Sequence, residues 1–510
     1  MAGQVHELDD RVMAVGIIGV GLIWGVLFCG AWVSAVLSGG LAPDPSLTPP
    51  FIALAHPGSP GTAWGQPVGP PVLYWTATVA VAALPVTVWL LLRRLRAPEE
   101  AAVSGCASGS QVAAVAGARA LRSRGSALRP SLPSPRPVDL GYRLGASRGR
   151  DCYASVEDSI VVLGPPRSGK GLHLIIPTIL DAPGAVLTTS TRPDNLTVTM
   201  ARRATRGRVA VFDPQHLAPG VPSATRWSPI RGCQDPHIAM VRAKALTANT
   251  AAGTSDSTFW QASAEQAVRC LLHAAALGGH SSSDLYRWSL SSVQAREAVM
   301  ILATHARAAA SWHEALDAIV SSDPRQRDAV WAMVTLGAAL ADPRVLDAVS
   351  PGPGEGFDPE DFLRSNGTVY LLGTSTGVAA TAGLVGAFVE DVIEAARRLA
   401  ARSAVSRLDP PLSLVLDEAA NYPMPSLPSL MSDGGGSGIS TLVVLQSLAQ
   451  ARAVWGEHAA SAIWDAAIVK AILGGGSNTC DRDALEAIIR GAYTTEAGHP
   501  APRSAVTEET

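Results

Sequence analysis

The sequence predicts an α/β protein: a parallel-sheet domain interrupted by an all-helical insertion and preceded by two helices of membrane-spanning length. Three observations carry this. From about residue 155 onward, apolar strand-like runs alternate with helical patterns, as in a sheet covered by helices. Between 234 and 350 the strand-like runs stop and helical periodicity takes over. Near the amino terminus stand two uncharged apolar runs, each reaching the roughly 20 residues a bilayer requires. A chain of 510 residues has room for two or three such domains.

Taken in chain order, the first run is "VMAVGIIGVGLIWGVLFCGAWVSAVL" (12–37) and the second "VLYWTATVAVAALPVTVWLLL" (72–92), in which Pro85 is a tolerable kink. The first is too long for a signal peptide, and the "HELDDR" before it is more acidic than basic. "RRLR" (93–96) follows the second run directly, and positive charge favours the cytoplasmic side. Residues 1–96 are therefore expected to form a two-span hairpin in the plasma membrane with both termini cytoplasmic. The Pro- and Gly-rich stretch 38–71 would be a short external loop. Residues 97–150 mix Arg, Ser and Pro with little periodicity, as a linker does. Arg119, Arg122, Arg124 and Arg129 in it suit either anionic headgroups or plain solvation.

Overall charge and cysteines narrow the chemistry. The net charge of −3 provides no global basic field for nucleic acid. The six cysteines are scattered without a C-x-x-C pair, so neither a zinc site nor a disulfide framework is indicated.

The strand "SIVVLG" opens into Gly164-Pro165-Pro166-Arg167-Ser168-Gly169-Lys170-Gly171, followed by the apolar run "LHLIIPTIL". This is the G-x-x-x-x-G-K spacing of a phosphate-binding loop, and Lys170 is one of only three lysines in the chain. Backbone N–H groups of such a turn, backed by a helix amino terminus, cradle phosphate oxygens while the lysine neutralises them. Gly171 stands where such loops usually carry a magnesium-holding Ser or Thr.

Hydrolysis also needs a metal-holding carboxylate and a group that handles the attacking water. "LSLVL" (412–416) reads as a buried parallel strand with Asp417 and Glu418 at its carboxyl end, where ligands sit in open α/β sheets. A further strand in "GISTLVVLQSLAQAR" ends at Gln446, placed either to sense a γ-phosphate or simply to cap a helix. Lys170 and Asp417 lie far apart in sequence, so a nucleotide site needs a chain that leaves the sheet and returns. The helical patterns of 234–350 fill that gap, and "GTVYLLGT" (367–374) resumes the sheet.

Together, "GPPRSGKGLHLIIPTIL" and "LSLVLDEAANYPMPSLPSLMSDGGGSGISTLVVLQSLAQARAVWG" resemble the TraG/TraD-type conjugative coupling proteins, the membrane-anchored ATPases of type IV secretion. The resemblance runs from about 155 to 490. It takes in "WSPI" (227–230) and "TFWQASAEQAVRCLLHAAAL" (258–277), the latter resembling the opening helix of the family's all-α domain. It implies a P-loop (RecA-like) nucleotide-binding domain at 151–233 and 351–510, with the all-α domain at 234–350. ATP and Mg2+ are the implied cofactors, with Gly164 to Gly171 on the phosphates and Asp417 as the metal ligand. Lys170, Glu418 and Gln446 would be catalytic. The implied partners are DNA, relaxosome-type proteins and secretion-channel membrane subunits, served by a homo-hexamer at the plasma membrane. Family loops commonly read G-K-G, which accounts for Gly171, leaving magnesium to Ser168, water and Asp417. Two departures stand out: Ser190 where the family often has an acid, and the turn "SDGGGSG" without an Arg at or near Gly435, for which Arg452 is a substitute. Two other readings stay open: a coupling protein for protein effectors only, and a nucleotide-binding scaffold that does not hydrolyse.

Overall fold

A computed structural model describes residues 2–95, 107–147, 149–221, 225–248, 257–334, 339–374, 381–422 and 424–474; of 2–18, 92–95 and 257–258 only the backbone is described. The carboxy-terminal stretch 475–510 of the expected nucleotide-binding domain and residues 97–106 of the expected linker lie outside these. The chain divides into two units, Met1–Val103 and Ser104–Thr510.

In the first unit, helices α1 (Ala2–Leu37) and α2 (Pro71–Leu95) pack against each other. Their apolar lengths Gly19–Leu37 and Pro71–Leu91 suffice to cross a membrane. They approach closely at Gly30, where a β-carbon would lie 2.1 Å from Thr78 Oγ1, so only a glycine fits. Close approach through small residues is how helices associate in lipid. Between them, Trp24, Trp75 and Ser34 tie the connection down by donating to the carbonyls of Ser46, Pro57 and Val68.

The second unit is built on a seven-stranded parallel sheet in the order β5-β6-β4-β7-β8-β3-β9. Its strands are β3 (Ile160–Leu163), β4 (Val186–Ser190), β5 (Val209–Phe212), β6 (Thr368–Leu372), β7 (Leu412–Leu416), β8 (Ile439–Leu445) and β9 (Val469–Ile472). Every residue of β3, β4, β6, β7 and β8 is buried, as expected of a parallel sheet covered on both faces. Period-two alternation divides β3, β4, β7 and β8 between two cores. In β3, Val161 and Leu163 join one apolar cluster, whereas Ile160 and Val162 join the other.

The first of these cores is shared with the insertion. Among the described residues, 234–350 contains helices and no strand, beginning with α4 (Pro236–Thr247) and α5 (Ser257–Gly278); α3 (Asp194–Arg203) precedes it in the sheet domain. The insertion is anchored where α4 meets α6 (Ala382–Arg402). There the buried Arg242 guanidinium pairs with Asp391, donates to the carbonyls of Pro229 and Arg231, and lies 5.1 Å over the Trp227 ring. Trp227 Nε1 donates to the other Asp391 oxygen at 2.9 Å, and the indole stacks on Phe388. Breaking such a buried pair by removing one partner typically costs about 3–5 kcal/mol. "WSPI" thus ties the insertion to the sheet domain.

The second core corrects the linker expectation. Described residues from 107 to 147 are folded: short helices Gly109–Val115, Ala118–Ser123, Gly125–Leu128 and Pro137–Leu140, then β1 (Gly141–Ser147), which pairs antiparallel with β2 (Arg150–Ser155). Leu121, Leu128, Leu140 and Tyr142 are buried against Val162, Ile175, Ile179 and Val444. Arg129 faces no lipid: it is buried, with Nε 2.5 Å from Asp409 Oδ1. Arg124 pairs with Glu157 at 3.0 Å.

Candidate functional site

The loop from Gly164 to Gly171 joins β3 to a helical run, and its geometry depends on glycine. Gly169 has φ +85°, a region open to glycine but costly to other residues, and a β-carbon there would meet His173 at 2.8 Å. At Gly164 a β-carbon would lie 2.6 Å from Ser168 Oγ. Arg167 also adopts a positive φ, 65°. The N–H groups of Arg167, Gly169 and Lys170 make no backbone hydrogen bond among the described residues, so they are free to donate to an anion. Lys170 Nζ donates to the Gly164 carbonyl at 3.2 Å and closes the loop on itself.

Beyond the loop, Gly171–Ile175 forms a π turn that passes into the α-helix Ile176–Asp181. Ile176 N donates to Gly171 O, five residues back. Pro177 follows at once, and its missing N–H and bulky ring displace the ladder by one residue. Gly171 faces open space: a β-carbon there meets nothing within 4 Å.

The acid pair emerges at the carboxyl end of β7, separated from β3 by β8 alone. Gln446 follows β8, half-buried between the two motifs. The fold therefore brings the loop, both acids and Gln446 to one end of three adjacent strands. Lys170 is near enough that its charge acts on Asp417. Burial, and after it the charge of Glu418, push the Asp417 carboxyl up to about 6, against the opposing pull of Asn195 and Lys170. Asp417 Oδ1 is buried with no hydrogen-bond partner, as is Ser168 Oγ. Each motif thus carries one buried oxygen without a hydrogen-bond partner, a donor of the kind a hard cation takes. No group of three or more His, Cys, Asp or Glu that could hold a metal ion stands together among the described residues.

Sequence reading missed the residues that hold these acids. Asn195 Nδ2 donates to Asp417 Oδ2 at 3.2 Å, and Thr189 Oγ1 donates to the Asp417 carbonyl at 3.0 Å. Thr191 Oγ1 donates to Glu418 Oε2 at 2.5 Å, and Asn421 Nδ2 reaches the same oxygen at 3.2 Å. Glu418 itself has φ 49°, an uncommon conformation for a residue with a side chain. Tyr422 lies beneath the pair, its hydroxyl donating to the Gly373 carbonyl at 2.6 Å, and burial drives its phenol far above the usual range. Of the two family departures, Ser190 ends β4 and its Oγ accepts from Arg192 N at 3.2 Å. The glycine turn is closed to a side chain at Gly435, where a β-carbon would lie 2.1 Å from the Glu157 carbonyl oxygen. Arg452 pairs with Glu457 at 3.0 Å.

A family model described as the TraM recognition site of TraD and TraG matches residues 411–488, the span that begins at β7 and its acid pair. Against curated proteins the sequence has no match. Among solved structures, the bacterial conjugative coupling protein TrwBdeltaN70 in its unbound monoclinic form aligns with a TM-score of 0.52 at 16% identity, over 72% of this chain and 79% of that one. Its trigonal form, in complex with sulphate, aligns with a TM-score of 0.50 at 17% identity, over 73% and 80%. TrwB in complex with ADP and Mg2+ aligns with a TM-score of 0.49 at 15% identity, over 69% and 83%. Residues 411–488 thus match a domain named for TraD and TraG, and the chain shares the fold of the conjugative coupling protein TrwBdeltaN70.

Proposed function

We propose that this chain is a membrane-anchored ATPase that couples DNA, alone or with attached protein, to a type IV secretion channel, with ATP hydrolysis driving transfer. One observation carries the reading: the free amides of a phosphate loop and the acid pair of β7 share one end of the sheet, each bearing a buried oxygen without a partner. In it, the Lys170 side chain and the free amides of Arg167, Gly169 and Lys170, within the loop from Gly164 to Gly171, bind the β- and γ-phosphates. Asp417 Oδ1 and Ser168 Oγ are the residues that would hold Mg2+. The metal, when bound, supplies charge neutralisation to the phosphate oxygens. Glu418 orients the attacking water and accepts its proton, and Gln446 reports loss of the γ-phosphate. Preorganised donors supply most of the transition-state stabilisation.

The matched domain supports relaxosome-type proteins as partners, since recognition of TraM gives that domain its name. Helices α1 and α2 support a plasma-membrane anchor, and "RRLR" (93–96) after α2 supports cytoplasmic termini. The active form is a homo-hexamer working with channel subunits.

The test uses the full-length protein in detergent or nanodiscs, with ATP binding, hydrolysis and transfer read side by side. Wild type should hydrolyse ATP faster when DNA is added. Glu418→Gln should bind ATP normally and lose about 10²–10⁴-fold in rate, the range a general base contributes. Hydrolysis indifferent to DNA would point to protein effectors. Transfer retained in Glu418→Gln without hydrolysis would overturn the motor reading in favour of a scaffold.

A further inference from the structure

The stretch "TTSTRPDN" (188–195) runs off the end of β4 and places three polar side chains on the acid pair. We infer that Thr191 is the positioning residue for Glu418, fixing through its hydroxyl which carboxylate oxygen is presented to the attacking water; this rests on the hydrolytic reading above.

The geometry is specific. Strand β4 lies beside β7 in parallel register, Thr189 opposite Leu416, so Thr191 falls level with the acids that follow β7. At 2.5 Å its hydroxyl–carboxylate contact is a short, charge-assisted hydrogen bond, of the kind that also fixes direction. Asn421 donates to the same oxygen, Oε2, and the Asn421 amide closes a turn on the Glu418 carbonyl at 2.8 Å. Both side-chain donors thus occupy one oxygen and leave Oε1 to accept a proton. The backbone at Glu418 sits at φ 49°, a conformation that persists only when its surroundings hold it. A glutamate with three side-chain torsions would otherwise sample many directions, and a misplacement of about 1 Å can cost about 10²-fold in rate. Asn195 treats Asp417 in the same way: it takes Oδ2 and leaves Oδ1 bare. Thr189, Thr191 and Asn195 bring donors without adding a third negative charge beside the two acids.

Thr191 is partly exposed, so its replacement should be tolerated by the fold. The experiment compares wild type, Thr191→Val, Thr191→Ser, Glu418→Gln and the Thr191→Val/Glu418→Gln double variant as full-length protein. Each is measured for steady-state ATP hydrolysis and, separately, for binding of a fluorescent non-hydrolysable ATP analogue with Mg2+. Thr191→Val, which keeps the shape and removes the hydroxyl, should lower kcat about 10–100-fold with analogue affinity within about twofold of wild type. Thr191→Ser should recover activity to within about threefold of wild type. In the double variant the loss should match Glu418→Gln alone, because residues acting through one another are not additive. A Thr191→Val rate at or above wild type, or losses that multiply in the double variant, would overturn the assignment while leaving the ATPase standing. Wild type that binds the analogue and fails to hydrolyse ATP would instead remove the hydrolytic reading and this inference with it.

Discussion

At the scale of single residues, the site stores an unfavourable charge. Asp417 titrates near 6 against an ordinary value of 3.8, chiefly because it is buried and next because Glu418 is beside it. Between those two pH values the folded protein holds a proton that the unfolded chain has released. Stability from this group therefore falls as pH rises through 6, by on the order of 3 kcal/mol for a shift of about two units. Asp417→Asn removes the charge and keeps the acceptor for Asn195. In nucleotide-free protein at pH 7.5 the variant should melt a few degrees above wild type. At pH 4.5, close to the unfolded value of 3.8, the advantage should shrink to about a third. Differential scanning fluorimetry at the two pH values checks this, and equal shifts at both would show that the carboxylate is not strained by burial. The same variant should bind nucleotide less tightly when Mg2+ is present, so it gains stability where it loses function.

The elements differ in how much the sequence tells of them. Strands β3 and β7 were legible because a buried parallel strand is a short run of apolar residues, and one ends abruptly in Gly-Pro-Pro and the other in two acids. The segment 107–147 was not, since its helices are four to seven residues long and too short to show a period. Its real signals were local, such as the capping box of Ser108 with Gln111. The contacts of Thr191 and Asn195 were beyond reach for another reason: their partners lie 227 and 222 residues away, set by strand order alone. The glycine turn before β8 is an intermediate case, read as a missing arginine when it is a steric necessity. Gly435 lies against the Glu157 carbonyl, whereas the nearest atom to a β-carbon at Gly436 is 3.6 Å away. Gly435→Ala should therefore destabilise the protein by about 1–3 kcal/mol, as overpacking does, and Gly436→Ala should be nearly neutral. Thermal unfolding of the two variants decides it; equal melting temperatures would mean that the turn moves aside freely. Any basic side chain engineered into this turn belongs at 436.

For the whole molecule, the open question is which side of the membrane each part occupies, and the charges flanking the hairpin provide the argument. "RRLR" at 93–96 follows α2, and no arginine or lysine occurs from 12 to 92. On the proposed anchor, the bias of basic residues to the cytoplasmic side would put the end of α2 inside, and two spans would return the amino terminus to the same side. The connecting segment carries an interfacial signature. Trp24, Phe28, Trp64, Tyr74 and Trp75 gather around it in ring contacts, the amphipathic aromatics that favour a membrane–water interface. Gly58 offers a probe position, since a β-carbon there meets nothing within 4 Å and a cysteine should be accepted without disturbing the hairpin. Arg150, exposed in the β1–β2 hairpin, offers a second on the motor side. In a background with the six native cysteines replaced, a membrane-impermeant maleimide should label Gly58→Cys in intact cells. Arg150→Cys should react only after permeabilisation. The reverse pattern would invert the anchor and put the phosphate loop where no ATP is available, and with it the motor reading would fall.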